Sequence, residues 1–421
     1  MISKIDYKGL QISSWLILLM PLFLITGPFL PDLSLVILIL IFLYNSFNLK
    51  LKNFYQEKFF KFFLLFYVLI VFSSLISDYK LFSLKSSLPY IRFGLFTLAS
   101  YLIFSLRKEN ITYLSKIFIY IILILFIDAM IQYLFSYNLF GWKVDDSNFR
   151  VTSFFGKDEV LGSYVVRFFP FCLSIILFAK KKLNVSYSKY IYFFILASSF
   201  IISFISGERN SFFLILISTI TIILTCKNLR KIFLISSLIA ILLISILTIF
   251  DKRIKNRMLD FTLYQLGLTG EKERLFLFSE IYEGHYTISL KMFKEKPLFG
   301  HGTKSFRKYC GKKENYLAEG ACTTHPHNIY MQLLAETGII SFMIVFSIFI
   351  FLAIKLAHIS YASFVRKNSL QSDYITLIYI FYFVNLFPIA PSGNLFNNWM
   401  SIIYFFPSGY LIYLKNYDAN N

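Results

Sequence analysis

The run IFLISSLIAILLISILTI, Ile232 to Ile249, contains no charged side chain, and Asp251-Lys252-Arg253 follow it almost at once. Wound as a helix it reaches about 27 Å, close to the ~30 Å of hydrocarbon in a bilayer, so it reads as a membrane span. A polar segment then runs from Asp251 to Thr337 before a second apolar run, Ile339–Leu356, resumes the pattern. One large polar element is therefore expected between two membrane helices. Chemistry belongs in that element, because it closes on His325-Pro326-His327-Asn328-Ile329-Tyr330 and so sets titratable groups just outside a bilayer at a helix start.

Outside that stretch the chain repeats the same theme. In 421 residues, 57% are hydrophobic, 20% aromatic and 15% charged. That balance excludes a water-soluble domain and fits a polytopic helical membrane protein. Further candidate spans are Leu16–Phe29, Leu33–Phe47, Phe59–Ile76, Leu88–Phe104, Ile117–Leu134, Leu161–Phe178, Tyr190–Ile205, Phe212–Leu224, Ile375–Phe387 and Ile402–Leu414. With the two already quoted they make about twelve, each near the ~20 residues that cross hydrocarbon once flanks are included. The fold expected is all-α. Transmembrane helices occupy 1–250, a loop of short helices occupies 251–337, and the last transmembrane helices occupy 338–421. The first run is flanked by Lys4 and Lys8 and lacks a small-residue cleavage site, which marks a retained helix and not a signal peptide.

Lysine and arginine orient such a chain. Lys50, Lys52, Lys58 and Lys61 follow the second run, Arg107, Lys108 and Lys116 the fourth, and Lys180, Lys181, Lys182 and Lys189 the sixth. Lys227, Arg230 and Lys231 follow the eighth, and Arg366 and Lys367 the tenth. Every second connection is basic, which puts these connections and both termini in the cytoplasm and the large polar segment outside. That segment is basic too, with Lys252, Arg253, Arg257, Arg274, Lys291, Lys304, Arg307 and Lys312, but long translocated loops escape the positive-inside bias. The net charge of +19 thus divides between topology and an external basic face. Such a face suits phosphate or pyrophosphate groups, or anchors to lipid headgroups. No nucleic-acid partner is expected.

Cys172 and Cys226 fall in or beside spans and behave as small apolar residues. Cys310 and Cys322 both lie in the external segment, and in an oxidising compartment they would pair and close a short loop just before His325. His285, His301, His325 and His327 lack carboxylate or cysteine partners at metal spacing, so no metal site and no cofactor is expected.

Within the segment, Leu275, Phe278, Ile281, Tyr282, Ile288 and Met292 recur at helical spacing from Glu271 to Phe293, which predicts an amphipathic helix along the membrane surface. Pro297 ends it, and Leu298-Phe299-Gly300-His301-Gly302 reads as a turn. Thr324 or His325 before Pro326 marks the next helix start, whose N–H groups point at any anion outside.

The run His327-Asn328-Ile329-Tyr330-Met331-Gln332-Leu333-Leu334-Ala335-Glu336-Thr337-Gly338, preceded by Pro297-Leu298-Phe299-Gly300-His301-Gly302, resembles the signature of the O-antigen ligase and O-antigen polymerase superfamily. Asp128, Gln132, Asn138-Leu139-Phe140-Gly141, Arg150 through Gly156, Gly162 and Gly207-Glu208-Arg209-Asn210 agree with it, so the resemblance covers most of the chain from Asp128 to Gly338. It implies a metal-independent, inverting glycosyltransferase of the type-C architecture in a bacterial inner membrane, acting on its periplasmic face on glycans carried by undecaprenyl pyrophosphate. It also implies His327 as general base and Arg209 and Arg274 as the donor pyrophosphate ligands. A second histidine, His325, departs from the pattern, and the assignment to His327 rests on the adjacent Asn328.

Physical chemistry alone gives the same roles a rationale. An attacking acceptor hydroxyl needs a proton acceptor that is neutral near working pH, and imidazole is one. A leaving pyrophosphate gains charge, which guanidinium forks stabilise. Arg150, Lys304 and Arg307 are possible auxiliaries. Each residue also has a plainer reading. Arg209 at a span end can simply snorkel, Arg167 and Asp128 can pair with each other or line a lipid-pyrophosphate cavity, and Glu336 can pair with an arginine or cap a helix. Gly338 suits close helix packing. Three functions remain. The first is ligation of a glycan to a lipid A-core sugar; the second is polymerisation onto another lipid-linked glycan; the third is a lipid-glycan flippase.

Overall fold

Helices satisfy every backbone group internally, as lipid demands, and helices are what this chain forms. The computed structural model describes residues 7–144, 149–269, 278–315, 320–366 and 371–419. Among the described residues there is no strand, only an isolated bridge between Tyr137 and Lys143.

Each of the apolar runs overlaps a helix, but among the described residues only seven helices have the length and apolarity of a span. These are Phe29–Leu49, Lys58–Leu75, Lys80–Leu106, Glu109–Phe135, Leu161–Lys182, Lys227–Phe250 and Ile329–Val365. Tyr7–Phe23, Lys189–Ile205, Arg209–Thr225 and Asp373–Asn385 are shorter; the last, at 13 residues, covers about 20 Å. Asp373–Asn385 packs against Leu161–Lys182 and is buried along nearly its whole length, so it is an inner element of the bundle. The first run also shifts: its helix ends at Phe23, because Gly27, at φ +105°, and Pro28 break the apolar stretch before the next helix starts at Phe29.

Leu161–Lys182 is the bundle's axis, buried over 94% of its apolar window, whereas Lys227–Phe250 is buried over 22% and turns Leu238, Ile249 and Phe250 outward. An apolar surface of that extent has no place in water and suits lipid. The basic connections gather at one end of the bundle. Lys108 and Lys182 both lie over the Tyr417 ring, Asn416 donates to Glu57, and Arg230 donates to Ser363. The polar segment crowns the other end.

The amphipathic helix of that segment runs Glu280–Glu295, and residues 270–277 lie outside the described residues. Part of its apolar face, with Ile281 and Leu290, is exposed. Ile288 and Met292 pack with Phe306, Tyr309, Cys310, Ala321 and Ala335 into a small core of their own. Cys310 and Cys322 are joined by a disulfide, with Cα atoms 5.3 Å apart, which ties that core to the turn before His325.

Candidate functional site

The turn from Gly320 to Asn328 carries the chemistry. Asn328 is the cap of the helix Ile329–Tyr361, accepting from the N–H groups of Tyr330 at 2.9 Å and Met331 at 3.1 Å. The helix therefore starts three residues after the expected Pro326, and its end is closed by Asn328's own side chain instead of waiting for an anion. Asn328 also donates to the Pro388 carbonyl at 2.7 Å, and Ser392 N–H donates to the His327 carbonyl at 2.8 Å. Held from both sides, His327 sits at φ +53°, a left-handed backbone that few non-glycine residues adopt.

Three imidazoles meet there. The His327 ring centre lies 4.1 Å from that of His325 and 5.3 Å from that of His285, and Tyr282 is 5.8 Å away. Their nitrogens are used differently. His325 contacts Thr324 Oγ1 through Nδ1 at 3.0 Å and the Ser392 carbonyl through Nε2 at 3.3 Å. His285 Nε2 faces the Gly320 carbonyl at 3.0 Å. Among the described residues no hydrogen-bond partner reaches the His327 ring. Burial, then the neighbouring His285, pulls the His327 pKa down to about 4; burial, then His327, pulls His325 to about 3. Both rings are neutral at pH 7, and of the two His327 has the nitrogens open to accept a proton.

Guanidinium groups gather past Tyr282. Arg209 opens the helix Arg209–Thr225, donates to Thr262 at 3.3 Å and lies 5.2 Å over the Phe261 ring. Arg257 lies 5.7 Å over the same ring and donates to the Gly207 carbonyl at 3.2 Å. Arg150 pairs with Glu159. The side chains of Arg150 and Arg257 close on Gly207, where a Cβ would come within 3.2 and 3.3 Å of their Cγ atoms, so this φ +68° position admits glycine alone without displacing them. Burial, then repulsion from Arg150 and Arg209, lowers Arg257 to about 10. Such mutual repulsion favours an anionic guest. On the far side, Arg307 acts electrostatically on His325 and on Lys304, and burial lowers Lys304 as well.

Neighbouring motif residues do structural work. Glu208 accepts from Gly162 N–H at 2.6 Å, Ser163 N–H at 3.0 Å and the Ser163 and Ser211 hydroxyls, which closes the start of the helix Leu161–Lys182. Asn210 donates to the Pro391 carbonyl at 2.8 Å. Glu336 accepts from Lys304 N–H at 2.9 Å, Phe306 N–H at 3.2 Å and Gln332 at 2.9 Å, so it anchors the short helix Phe306–Cys310. Gly300 and Gly338 interlock with the backbone that faces them: a Cβ on Gly338 would overlap the Leu298 carbonyl oxygen, and one on Gly300 would stand 2.5 Å from the Glu336 carbonyl carbon. His301 donates its ring to this clasp, with Nε2 2.9 Å from the Met292 carbonyl.

Asp128 and Arg167 do not pair. Asp128 accepts from Leu139 N–H and Ser153 Oγ and so folds the loop beyond its helix, while Arg167 donates to Asn385 at 2.9 Å beside a small cavity under Ser392. Arg274 lies outside the described residues. Among the described residues no group of three His, Cys, Asp or Glu side chains is arranged to hold a metal ion, the neighbouring imidazoles included. The sequence reading missed Tyr282, His285 and Arg257 as site residues. Tyr282 read as part of an apolar stripe, His285 as one isolated histidine, and Arg257 as one cation of many; only tertiary contact joins them.

Residues 192–346 match the family model described as O-antigen ligase. The match contains Arg209, Arg257, Tyr282, His285 and the whole His325 to Gly338 stretch. No curated protein matches the chain significantly. That stretch is less than half of the chain; over it the chain is similar to the O-antigen ligase family, and its multi-pass helical fold is compatible with the likeness.

Proposed function

We propose that this protein belongs to the O-antigen ligase and polymerase superfamily and is an inverting glycosyltransferase of the bacterial inner membrane. It moves a glycan from undecaprenyl pyrophosphate to a sugar hydroxyl of a lipid A-core acceptor. The observation that carries this reading is the His327 ring, open at both nitrogens and 5.8 Å from the ring of Tyr282, which in turn lies within electrostatic reach of Arg209 and Arg150.

In this reading the acceptor hydroxyl gives its proton to His327 as its oxygen attacks the anomeric carbon. The C–O bond to phosphate breaks on the opposite face, and its electron pair stays on the leaving pyrophosphate. Arg209 and Arg257 meet that growing charge, with Arg150, Arg307 and Lys304 adding to the field and Arg274 keeping its proposed place as a second donor ligand. The positive charge that a metal supplies in other transferases comes here from guanidinium groups. A His327 pKa near 4 makes a weak base in the empty protein, and the two negative charges of a bound pyrophosphate raise it toward the working range. The end of the bundle that bears this pocket faces the periplasm, and the basic connections and both termini face the cytoplasm.

Polymerisation onto a second lipid-linked repeat uses the same donor half, so the acceptor decides between the two. The test is transfer in proteoliposomes with a defined undecaprenyl-pyrophosphate glycan and two competing acceptors, a lipid A-core and a lipid-linked repeat. Ligation predicts the core product, polymerisation the lengthened repeat. A wild-type protein that moves glycan to neither acceptor but carries it across the membrane would establish a flippase instead.

A further inference from the structure

The helix Glu280–Glu295 brings one hydroxyl between the imidazole and the guanidinium groups, and the roles assigned above leave it unused. The Tyr282 ring stacks on Tyr286, 6.4 Å away and 13° from parallel, and lies 5.9 Å from His285 and 5.8 Å from His327. These contacts fix the ring on three sides. Its hydroxyl is within electrostatic reach of Arg209 and Arg150, and among the described residues no group hydrogen-bonds to it. Tyr286, one turn on, faces Asn328 instead.

Resting on the transfer reading above, we propose that Tyr282 is a further catalytic residue, whose phenol O–H donates a hydrogen bond to the phosphate oxygen that departs from the sugar. A donor whose anomeric carbon meets a hydroxyl held by His327, and whose pyrophosphate meets Arg209, carries its scissile oxygen over Tyr282. The bond from the acceptor oxygen to the anomeric carbon forms as the bond from that carbon to the phosphate oxygen breaks. The electron pair passes to the phosphate oxygen, the acceptor proton passes to His327, and Tyr282 keeps its own proton. Burial raises the Tyr282 pKa, which holds the phenol in the donor form. A donor aimed at charge that appears only as the bond breaks acts on the transition state more than on the ground state.

Tyr282→Phe removes the hydroxyl and keeps the stacked ring. Reconstituted transfer should then fall in kcat by about 10²- to 10³-fold with donor KM within a few-fold of wild type, as for loss of one preorganised donor. The acid limb set by His327 should stay where it was, which a shifted imidazole would not allow. Isothermal titration with undecaprenyl diphosphate should show weaker binding of this product by about tenfold or more, as for a lost hydrogen bond to a charged group. Wild-type kcat, or wild-type affinity for the diphosphate, overturns the proposal. If wild-type protein transfers no glycan, the transfer reading fails, and the titration alone still decides whether Tyr282 touches the diphosphate.

Discussion

His301 and His327 stand in neighbouring turns of one polar segment, and they differ in what surrounds their nitrogens. His301 is buried in the clasp, its Nε2 held by the Met292 carbonyl, among glycines that fit only because no Cβ intervenes and around a Glu336 whose oxygens accept from three donors. His327 stands on a left-handed backbone with an unengaged ring, beside Tyr282, whose unengaged hydroxyl is within electrostatic reach of guanidinium groups that repel one another. A polar group that folding satisfies has already committed its interactions to stability; one that folding leaves open in a basic pocket is available to substrate. The clasp builds the scaffold, and the pocket is where we propose the reaction takes place.

The difference can be broken by exchanging the effects. His327→Ala should lower transfer by about 10²- to 10⁴-fold while the thermal midpoint in detergent stays at the wild-type value. A normal rate, or a collapsed midpoint, would erase the distinction. Gly338→Ala should do the reverse. Its new methyl meets the Leu298 carbonyl at a φ of +74°, and the strain costs about 1–3 kcal/mol, read as a lower midpoint with diphosphate affinity retained in the folded fraction. Cutting the Cys310–Cys322 link, which closes a loop of sequence separation 12, should cost at most about 3 kcal/mol, and limited proteolysis should then find the turn before His325.

Smaller effects sharpen the picture of the pocket. Arg209→Lys keeps the charge and loses the planar fork, so diphosphate affinity should fall on the order of tenfold. Wild-type affinity there would mean that Arg209 serves only as a headgroup anchor. The pH dependence is the mildest signature. A general base must be neutral, so kcat/KM falls as pH drops through the pKa of the free enzyme. With His327 near 4, the profile should be flat from pH 8 to 6, whereas an ordinary imidazole would be about three-quarters protonated at pH 6. The same depression sets a stability trend: the unfolded chain binds more protons than the folded one between about 6.5 and 4, so stability is lost as pH falls through that window.

Much of the scaffold was legible because membrane helices announce themselves by composition over lengths of ~20 residues. What failed was local. Gly27-Pro28 breaks a run whose hydropathy alone is continuous, and Asp373–Asn385, buried by other helices, is helical for only 13 residues before non-helical backbone carries the chain on to Ser392 beside His327. The site divides along the same line. His327 and Arg209 stood out because each sits at the edge of an apolar run, where a polar side chain is conspicuous. Tyr282 was hidden in an apolar periodicity that it satisfies with its ring, and Arg257 in a crowd of cations. His285 joins the imidazole group only because the disulfide and the Gly320 carbonyl bring the turn over the helix. The Glu336 carboxylate, read as a helix cap or arginine partner, caps a helix other than its own, a role that no spacing rule encodes.

A structure of the protein with undecaprenyl diphosphate bound tests the central claim most directly, that one imidazole and several guanidinium groups share a pocket built for a diphosphate. The account predicts density for both phosphates against Arg209 and Arg257, with the terminal phosphate oxygen at the Tyr282 hydroxyl and His327 across the space left for a sugar. Phosphate density remote from His327, with the lipid lying along the outside of the bundle, would contradict it.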